Sequence, residues 1–258
     1  MDKLKIEWYV CTYNEEFQLP FAIDYWKRLI TDKSDLKVFV YDNQSTDKTV
    51  EILKQYPWIE VKEFTSNNEM NENLLTYIRN NCWKSSKADW VMMTDLDEVF
   101  YAKDIVSELI RMKEEGVAVV ACKWLGLIDD KIPKHDGRLL HNIMGNGYKQ
   151  HINHREGQGD WGKLQLFDPK KVTTMNYSPG MHISYPDAPI TFNDNIFQFH
   201  FDKGYSAEYK IKKRRELWKR LNSVQKQMGY CYQYNFSNEQ IRKEHQDCLN
   251  NSIDISGI

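Results

Sequence analysis

Short apolar segments alternate with amphipathic segments through the first half of the chain. Five apolar segments carry the β-branched and aromatic residues that strands favour. The stretches between them place apolar side chains at helical spacing. The predicted strands are 6–12, 36–41, 59–64, 90–94 and 117–124, and the predicted helices are 19–30, 50–56, 67–86 and 105–113. This alternation indicates an α/β fold with a mostly parallel central sheet flanked by helices.

The alternation ends after Leu127. Residues 128–162 are rich in Gly, His, Asn and charged side chains without a repeating apolar pattern, so we predict long active-site loops there. Further short strands are predicted at 163–167, 181–184 and 196–201, and further helices at 206–228 and 238–249. We therefore predict a main domain, residues 1–205, and a C-terminal helical extension, residues 206–258, packed on it.

The composition is typical of a soluble globular protein, because 41% of the 258 residues are hydrophobic and 28% are charged. A formal net charge of -2 gives no electrostatic basis for binding nucleic acid, so no such partner is expected. The first residues lack the apolar segment of a secretion signal, and no apolar run approaches the length of about 18 residues that spans a bilayer. Five cysteines without a C-x-x-C pair indicate neither a disulfide framework nor a zinc site. A cytoplasmic location is therefore expected.

One predicted strand leads directly into a cluster of carboxylates. Trp90–Met93 is suited to a buried strand, and Asp95, Asp97 and Glu98 follow it. Ligands of open α/β sheets bind at the carboxyl ends of the strands. Hard divalent cations prefer oxygen ligands, some of which a substrate diphosphate supplies. The segment therefore predicts a metal–diphosphate site, and the alternative is a strand-to-helix turn in which Asp97 or Glu98 caps the next helix.

Two other predicted strands end in polar clusters, at residues 12–16 and 42–47. In a parallel sheet these clusters and the acidic one should converge on one edge, where a nucleotide would bind. The sequence has no G-x-G-x-x-G after the first strand and no G-x-x-x-x-G-K-[ST], which argues against a dinucleotide cofactor and a P-loop. A diphosphate neutralised by a metal instead of a glycine loop indicates a nucleotide-sugar.

Four sequence blocks follow one another along the chain, beginning at Val10 (VCTYNEE), Tyr41 (YDNQSTDKT), Ile78 (IRN) and Thr94 (TDLDE). In this order they resemble those of family 2-like glycosyltransferases of the GT-A fold. A later segment beginning at His200 (HFDKGYSAEYKIKK) is similar to the tail of family 92-like relatives. The resemblance covers residues 6–215 and implies the GT-A (nucleotide-diphospho-sugar transferase) fold.

The resemblance also implies a nucleotide site. Tyr13, Asp42 and Arg79 would hold the base and ribose, and Cys11 and Thr12 would approach the nucleotide through their backbone. Two alternatives stay open. The alternative for Asp42 is that it only stabilises a turn and caps a helix. The alternative for Arg79 is that it is a solvated residue on a helix surface.

A metal site is implied as well. Asp97 would bind Mn²⁺ or Mg²⁺ directly, and Asp95 would contact the ribose or a water on the metal. Enzymes of this kind commonly take a further ligand from a late histidine, for which His182 and His200 are the two candidates. The alternative for each histidine is a satisfied core residue.

An inverting transfer needs a general base that deprotonates the acceptor hydroxyl as it attacks the anomeric carbon. The chain departs from the family pattern here, since no clear Glu-Asp pair follows the fifth strand. Glu156 and Asp160, flanked by glycines, are the best candidates for the catalytic base. Trp161 would stack on a sugar face.

Residues 206–228 form a strongly basic predicted helix, with seven Lys or Arg between 210 and 220. Such a helix could lie on an anionic membrane surface, which would suit a lipid-linked acceptor. The alternative is a helix that packs its Trp and Leu side chains on the domain and leaves its charges in water.

The predicted function is metal-dependent transfer of a sugar from a nucleotide-sugar, such as a UDP-sugar, to a glycan or glycolipid acceptor, with inversion, as in polysaccharide biosynthesis. One alternative is a nucleotidyltransferase, but such enzymes use a Gly-rich basic loop after the first strand, and residues 12–17 are acidic and lack glycine. The other is a non-catalytic sugar-binding descendant, against which the acidic cluster argues.

Overall fold

The computed structural model describes residues 2–149, 161–201 and 205–258. The strands are β1 (Leu4–Thr12), β2 (Ser34–Asp42), β3 (Ile59–Glu63), β4 (Trp90–Asp95), β5 (Glu98–Tyr101), β6 (Val119–Leu127), β7 (Asn146–Tyr148), β8 (Leu166–Phe167), β9 (Ile190–His200) and β10 (Ile253–Asp254). The α-helices are α1 (Leu19–Lys27), α2 (Thr49–Leu53), α3 (Glu72–Asn81), α4 (Ile105–Glu114), α5 (Leu140–Met144), α6 (Ala207–Arg220), α7 (Ser223–Gln227) and α8 (Asn238–Asn250). Short 3₁₀ turns occupy Pro179–Met181 and Tyr232–Asn235.

The main sheet has the strand order β10-β7-β6-β8-β4-β1-β2-β3. Strands β3, β2, β1 and β4 are parallel, and β8 joins β4 to β6 through antiparallel pairs. In this register Thr12 lies beside Asp42, and Cys11 lies beside Asp95. The polar clusters that follow β1, β2 and β4 therefore share one edge of the sheet, as the sequence predicts.

β4 is buried on both faces, and β1 and β2 are buried over most of their length, which explains their apolar sequences, whereas the edge strand β3 is only partly buried. Trp8 and Trp90 pack in the core on one face, and Tyr9 and Val91 pack on the other. The Trp8 indole N–H donates to Thr94 Oγ1 at 2.7 Å, so this buried polar group is satisfied. The contact also fixes the end of β4 immediately before the acidic cluster.

The predicted helix over residues 67–86 is wrong at both ends, because α3 covers only Glu72–Asn81. Asn67 and Asn68 have positive φ angles of 56° and 62°, which a helix does not accommodate. Asn71 then caps α3, its side chain accepting from the Leu74 N–H at 3.1 Å.

Two further predictions from the second half are wrong. Residues 181–184 are not a strand, since Met181 ends a 3₁₀ turn with a φ of 56°. The predicted helix 206–228 is interrupted at Leu221, where the chain is extended, and the Asn222 side chain caps α7 by accepting from the Val224 N–H. Within residues 128–149, predicted as loop, the structure has α5 and β7.

The segment from α6 onward returns to the carboxyl edge of the parallel strands. Met70, just before α3, donates its N–H to the Arg220 carbonyl at 2.7 Å and accepts from the Asn222 N–H at 3.1 Å. The division of the chain at residue 205 stays a prediction. Across the three described ranges, no helix is long and apolar enough to cross a membrane.

Candidate active site

Two cavities lie at the carboxyl edge of β1, β2 and β4. The larger has a volume of about 690 Å³ and the smaller about 180 Å³. Both are lined by Glu72, Arg79, Asp95, Asp97 and Tyr234, so they meet at this group of side chains. The acidic cluster predicted from the sequence therefore lies at the junction of two cavities.

Arg79 extends from α3 into this junction and is only 4% exposed. Its Nη2 donates to Asp95 Oδ1 at 2.5 Å, and its Nη1 donates to Glu72 Oε2 at 3.4 Å. Burial by itself lowers the pKa of Arg79, but the charges of Asp95 and Glu72 outweigh it and raise the pKa above its ordinary value. Arg79 is therefore a permanent buried cation of the site and not a solvated surface residue.

Asp97 and His200 meet beside this pair because β5 and β9 are antiparallel neighbours with Glu98 opposite His200. The His200 Nε2 lies 3.5 Å from Asp97 Oδ2. Ligand atoms of Asp97, Glu98 and His200 all lie within 4.8 Å of one another, which makes them a candidate metal group among the described residues. His182 lines the larger cavity but is exposed and does not belong to this group.

Glu98 has structural partners for both carboxylate oxygens. Lys163 Nζ donates to Oε1 at 2.5 Å, and Gln165 Nε2 donates to Oε2 at 2.8 Å. Burial by itself lowers the pKa of Lys163, but the charges of Glu98 and Asp95 outweigh it and raise that pKa, so Lys163 stays charged. Of the three candidate ligands, Asp97 and His200 are therefore better suited to a metal than Glu98.

The smaller cavity contains the residues predicted for the nucleotide. Cys11, Thr12 and Tyr13 line it together with Arg79 and Asp95. Burial raises the pKa of the Cys11 thiol to about 12, so this sulfur is neutral at physiological pH. The structure thus brings together five of the six residues predicted to bind the nucleotide.

Asp42 is the exception. Its carboxylate accepts from the Ser45 N–H at 2.9 Å and from the Ser45 hydroxyl at 2.5 Å, as in a turn. Asn43, the next residue, lines the smaller cavity. The role of Asp42 in nucleotide binding stays a prediction, and Asn43 is a lining residue that the sequence analysis did not select.

Two basic residues of α6 also line the smaller cavity, Lys213 and Arg220. Lys213 Nζ lies 2.8 Å from Glu15 Oε1, and the Arg220 guanidinium lies 3.2 Å from the centre of the Tyr13 ring. Positions seven apart lie on the same face of a helix, which is a signal for this pair in the sequence. The basic pattern of this segment predicts contact with a membrane surface or with solvent, and the membrane contact stays a prediction.

The predicted catalytic bases Glu156 and Asp160 lie outside the described residues. Trp161 is described, and its ring centre lies 4.9 Å from that of Phe192. It lines a third cavity, of about 390 Å³, with Trp124 and Phe197. Its predicted stacking on a sugar stays a prediction.

An acidic Asp-x-Asp turn at the carboxyl edge of a parallel sheet, where two cavities meet, is typical of nucleotide-diphospho-sugar transferases. The sequence model of glycosyl transferase family 2 matches residues 8–174, and the chain belongs to this family. It is therefore a glycosyltransferase. The resemblance of the segment at 200–213 to family 92-like tails stays a prediction.

Solved structures of S. aureus TarS have a similar fold. The fragment TarS 1–349 is 13% identical with a TM-score of 0.51, covering 94% of this chain and 71% of the fragment. The longer TarS structure is 13% identical with a TM-score of 0.50, covering 95% of this chain and 43% of TarS. The fragment in complex with UDP-GlcNAc is 14% identical with a TM-score of 0.50, covering 94% of this chain and 72% of the fragment. These similarities confirm the predicted GT-A fold. A search of curated proteins found no match.

Proposed function

We propose that this glycosyltransferase transfers a sugar from a UDP-sugar to a hydroxyl of a glycan or glycolipid acceptor, with inversion and with a divalent cation as cofactor. The observation that carries the proposal is the position of Asp97, beside the Arg79–Asp95 pair where the two cavities meet. A nucleotide in the smaller cavity would present its diphosphate to Asp97 and its sugar to the larger cavity. The TarS complex with UDP-GlcNAc supports that compound as the first donor to test.

The side chains at this junction fit a divalent cation. Asp97 offers a carboxylate oxygen and His200 an imidazole nitrogen, and both side chains are partly accessible, at 20% and 12% exposure. A mixed oxygen and nitrogen donor set suits Mn²⁺ better than Mg²⁺, which prefers oxygen alone. When bound, the cation would stabilise the negative charge that develops on the leaving diphosphate.

The other charged residues of the site have two proposed roles: to orient Asp95 and to neutralise the nucleotide diphosphate. Arg79 holds Asp95 in one orientation, so that its second oxygen can meet the ribose. Lys213 and Arg220 place positive charge in the smaller cavity, where a nucleotide diphosphate would lie. Glu156 and Asp160 remain the proposed bases for the acceptor hydroxyl.

Replacing His200 by alanine is expected to weaken Mn²⁺ binding at least about tenfold, because a directly bound nitrogen is lost. His182→Ala is the matched control and should leave the affinity for Mn²⁺ unchanged. The measurement is a titration of Mn²⁺ into the protein with UDP present, read by electron paramagnetic resonance of the free ion. The reverse result, a loss only in His182→Ala, would assign the metal ligand to His182.

A donor screen tests the proposed function. Wild-type protein with Mn²⁺ is expected to release UDP from UDP-GlcNAc or another UDP-sugar faster when a mixture of glycan acceptors is added. Release of pyrophosphate from a nucleoside triphosphate and a sugar phosphate would instead support a nucleotidyltransferase. If the protein bound UDP-sugars but released no UDP with any acceptor tested, the result would support the non-catalytic alternative.

A further inference from the structure

Arg214 is a buried cation in the wall of the larger cavity with unused hydrogen-bonding capacity. It is 4% exposed, and its Nη2 lies 3.1 Å from Glu244 Oε2. Among the described residues, no hydrogen-bond acceptor meets its Nε or its Nη1. A buried guanidinium N–H without a partner is costly, and native proteins rarely leave one. Because Arg214 also lines the larger cavity, an anionic ligand there is one way to satisfy its side chain.

The ligand chemistry follows from the guanidinium group. Its planar N–H donors match the oxygens of a phosphate or carboxylate and pair with them in a bidentate manner. Glu244 faces a second buried cation as well, since Lys210 Nζ lies 4.0 Å from the same Oε2. Arg214 and Lys210 therefore both approach this one partly exposed carboxylate.

The donor diphosphate is one source of such a charge, but the positions of the basic residues argue against it. Arg214 lines only the larger cavity, whereas Lys213 and Arg220 line only the smaller one. Consecutive helical residues project about 100° apart, so α6 separates these charges between the two cavities. Lys213 and Arg220 are therefore available to the donor diphosphate, whereas Arg214 is available to the acceptor.

The surroundings of Arg214 are suited to a sugar. Four aromatic residues line the same cavity, and sugar rings pack their C–H faces on such side chains: Tyr230, Tyr232, Tyr234 and Phe236. We infer that Arg214 binds an anionic group on the acceptor, a phosphate ester or a uronic acid carboxylate, while these aromatic side chains contact its sugar. The inference rests on the proposed function, because it takes the larger cavity as the acceptor site.

The first experiment fills the donor site and then titrates anions. With saturating UDP and Mn²⁺, calorimetry would compare glucose 6-phosphate, glucuronate, inorganic phosphate and neutral glucose as probes. At least one anionic probe should bind the wild type at least about tenfold more tightly than glucose, and Arg214→Gln should remove that advantage. The better of glucose 6-phosphate and glucuronate identifies phosphate or carboxylate as the preferred anion. Lys212→Gln, which removes an exposed charge from the same helix, should bind like the wild type.

A second variant distinguishes ligand binding from a purely structural role. Glu244→Gln removes the carboxylate that competes for Arg214, so the anionic probe should bind a few-fold more tightly. If Arg214 served only to join α6 to α8 through Glu244, this variant would lower the melting temperature and would not tighten probe binding. Glu244→Gln alone therefore decides the inference if Arg214→Gln fails to fold.

Other outcomes separate the inference from the proposed function. A loss of UDP affinity of about tenfold or more in Arg214→Gln, with probe binding unchanged, would assign Arg214 to the donor and overturn the inference. Equal binding of all probes to wild type and Arg214→Gln would overturn it as well. If the wild type binds no UDP and releases none from UDP-sugars, the proposed function fails. Probe binding measured without nucleotide would then still test whether Arg214 is an anion site.

Discussion

Asp97→Asn is expected to lower kcat/KM for transfer from UDP-GlcNAc at least about 100-fold, which corresponds to about 2.7 kcal/mol of transition-state stabilisation. The substitution keeps the shape of the side chain and removes the negative charge that the cation would bind. The substitution also leaves in place the hydrogen bond that the Phe201 N–H donates to the backbone carbonyl of Asp97 at 2.8 Å. UDP release at a series of Mn²⁺ concentrations is the measurement.

The control for this variant is Asp35→Asn, which removes a carboxylate whose side chain is 63% exposed at the opposite end of β2. This change should leave both the rate and the dependence on Mn²⁺ as in the wild type. Raising Mn²⁺ should recover part of the activity of Asp97→Asn, since its KM for the metal should rise. Full activity of Asp97→Asn at low Mn²⁺ would show that the proposed metal position is wrong.

Lys163→Met is expected to destabilise the protein by about 3–5 kcal/mol, the loss found when one partner of a buried ion pair is removed. The Lys163 and Glu98 side chains are 3% and 0% exposed, so the pair is a buried one. Lys163 also lies 3.8 Å from Asp95 Oδ2, and its removal leaves two carboxylates without this cation. Denaturation by urea at neutral pH gives the free energy of unfolding.

The double variant Lys163→Met with Glu98→Gln should recover a large part of that loss, because no unpaired buried charge remains. Lys3→Met is the matched control. It breaks an exposed pair with Asp35, whose partners are 45% and 63% exposed, and should cost less than about 1 kcal/mol. If Lys163→Met lowered the free energy of unfolding no more than Lys3→Met does, the stability of the protein would not depend on the pair between Lys163 and Glu98.

The sequence was sufficient to predict features that depend on local pattern. Apolar residues on both faces of β1, β2 and β4 indicate buried parallel strands, and such strands place their following residues at one edge. The convergence of Thr12, Tyr13 and Asp95 follows from this rule alone. The start of α3 was predicted wrongly because the positive φ angles of Asn67 and Asn68 override the apolar spacing around them.

The rest of the site depends on contacts between distant parts of the chain. His200 reaches Asp97 only because β9 pairs with β5 in one particular register, and a single-residue shift would turn the imidazole to the other face. Lys163 is an ordinary lysine in the sequence, and its pairing with Glu98 spans 65 positions. The role of α6 was missed for the same reason, since spacing shows which basic residues share a face but not what that face contacts.

The position of Arg220 over the Tyr13 ring links the two substrates through one rigid element. A base that packs on this side of the Tyr13 ring must displace the guanidinium group, which lies at the end of α6. The same helix carries Arg214 in the wall of the other cavity, about 1.7 turns away. A movement of α6 on donor binding would therefore also move Arg214 in the wall of the larger cavity. Such a connection favours a compulsory order of binding, with the nucleotide-sugar entering first.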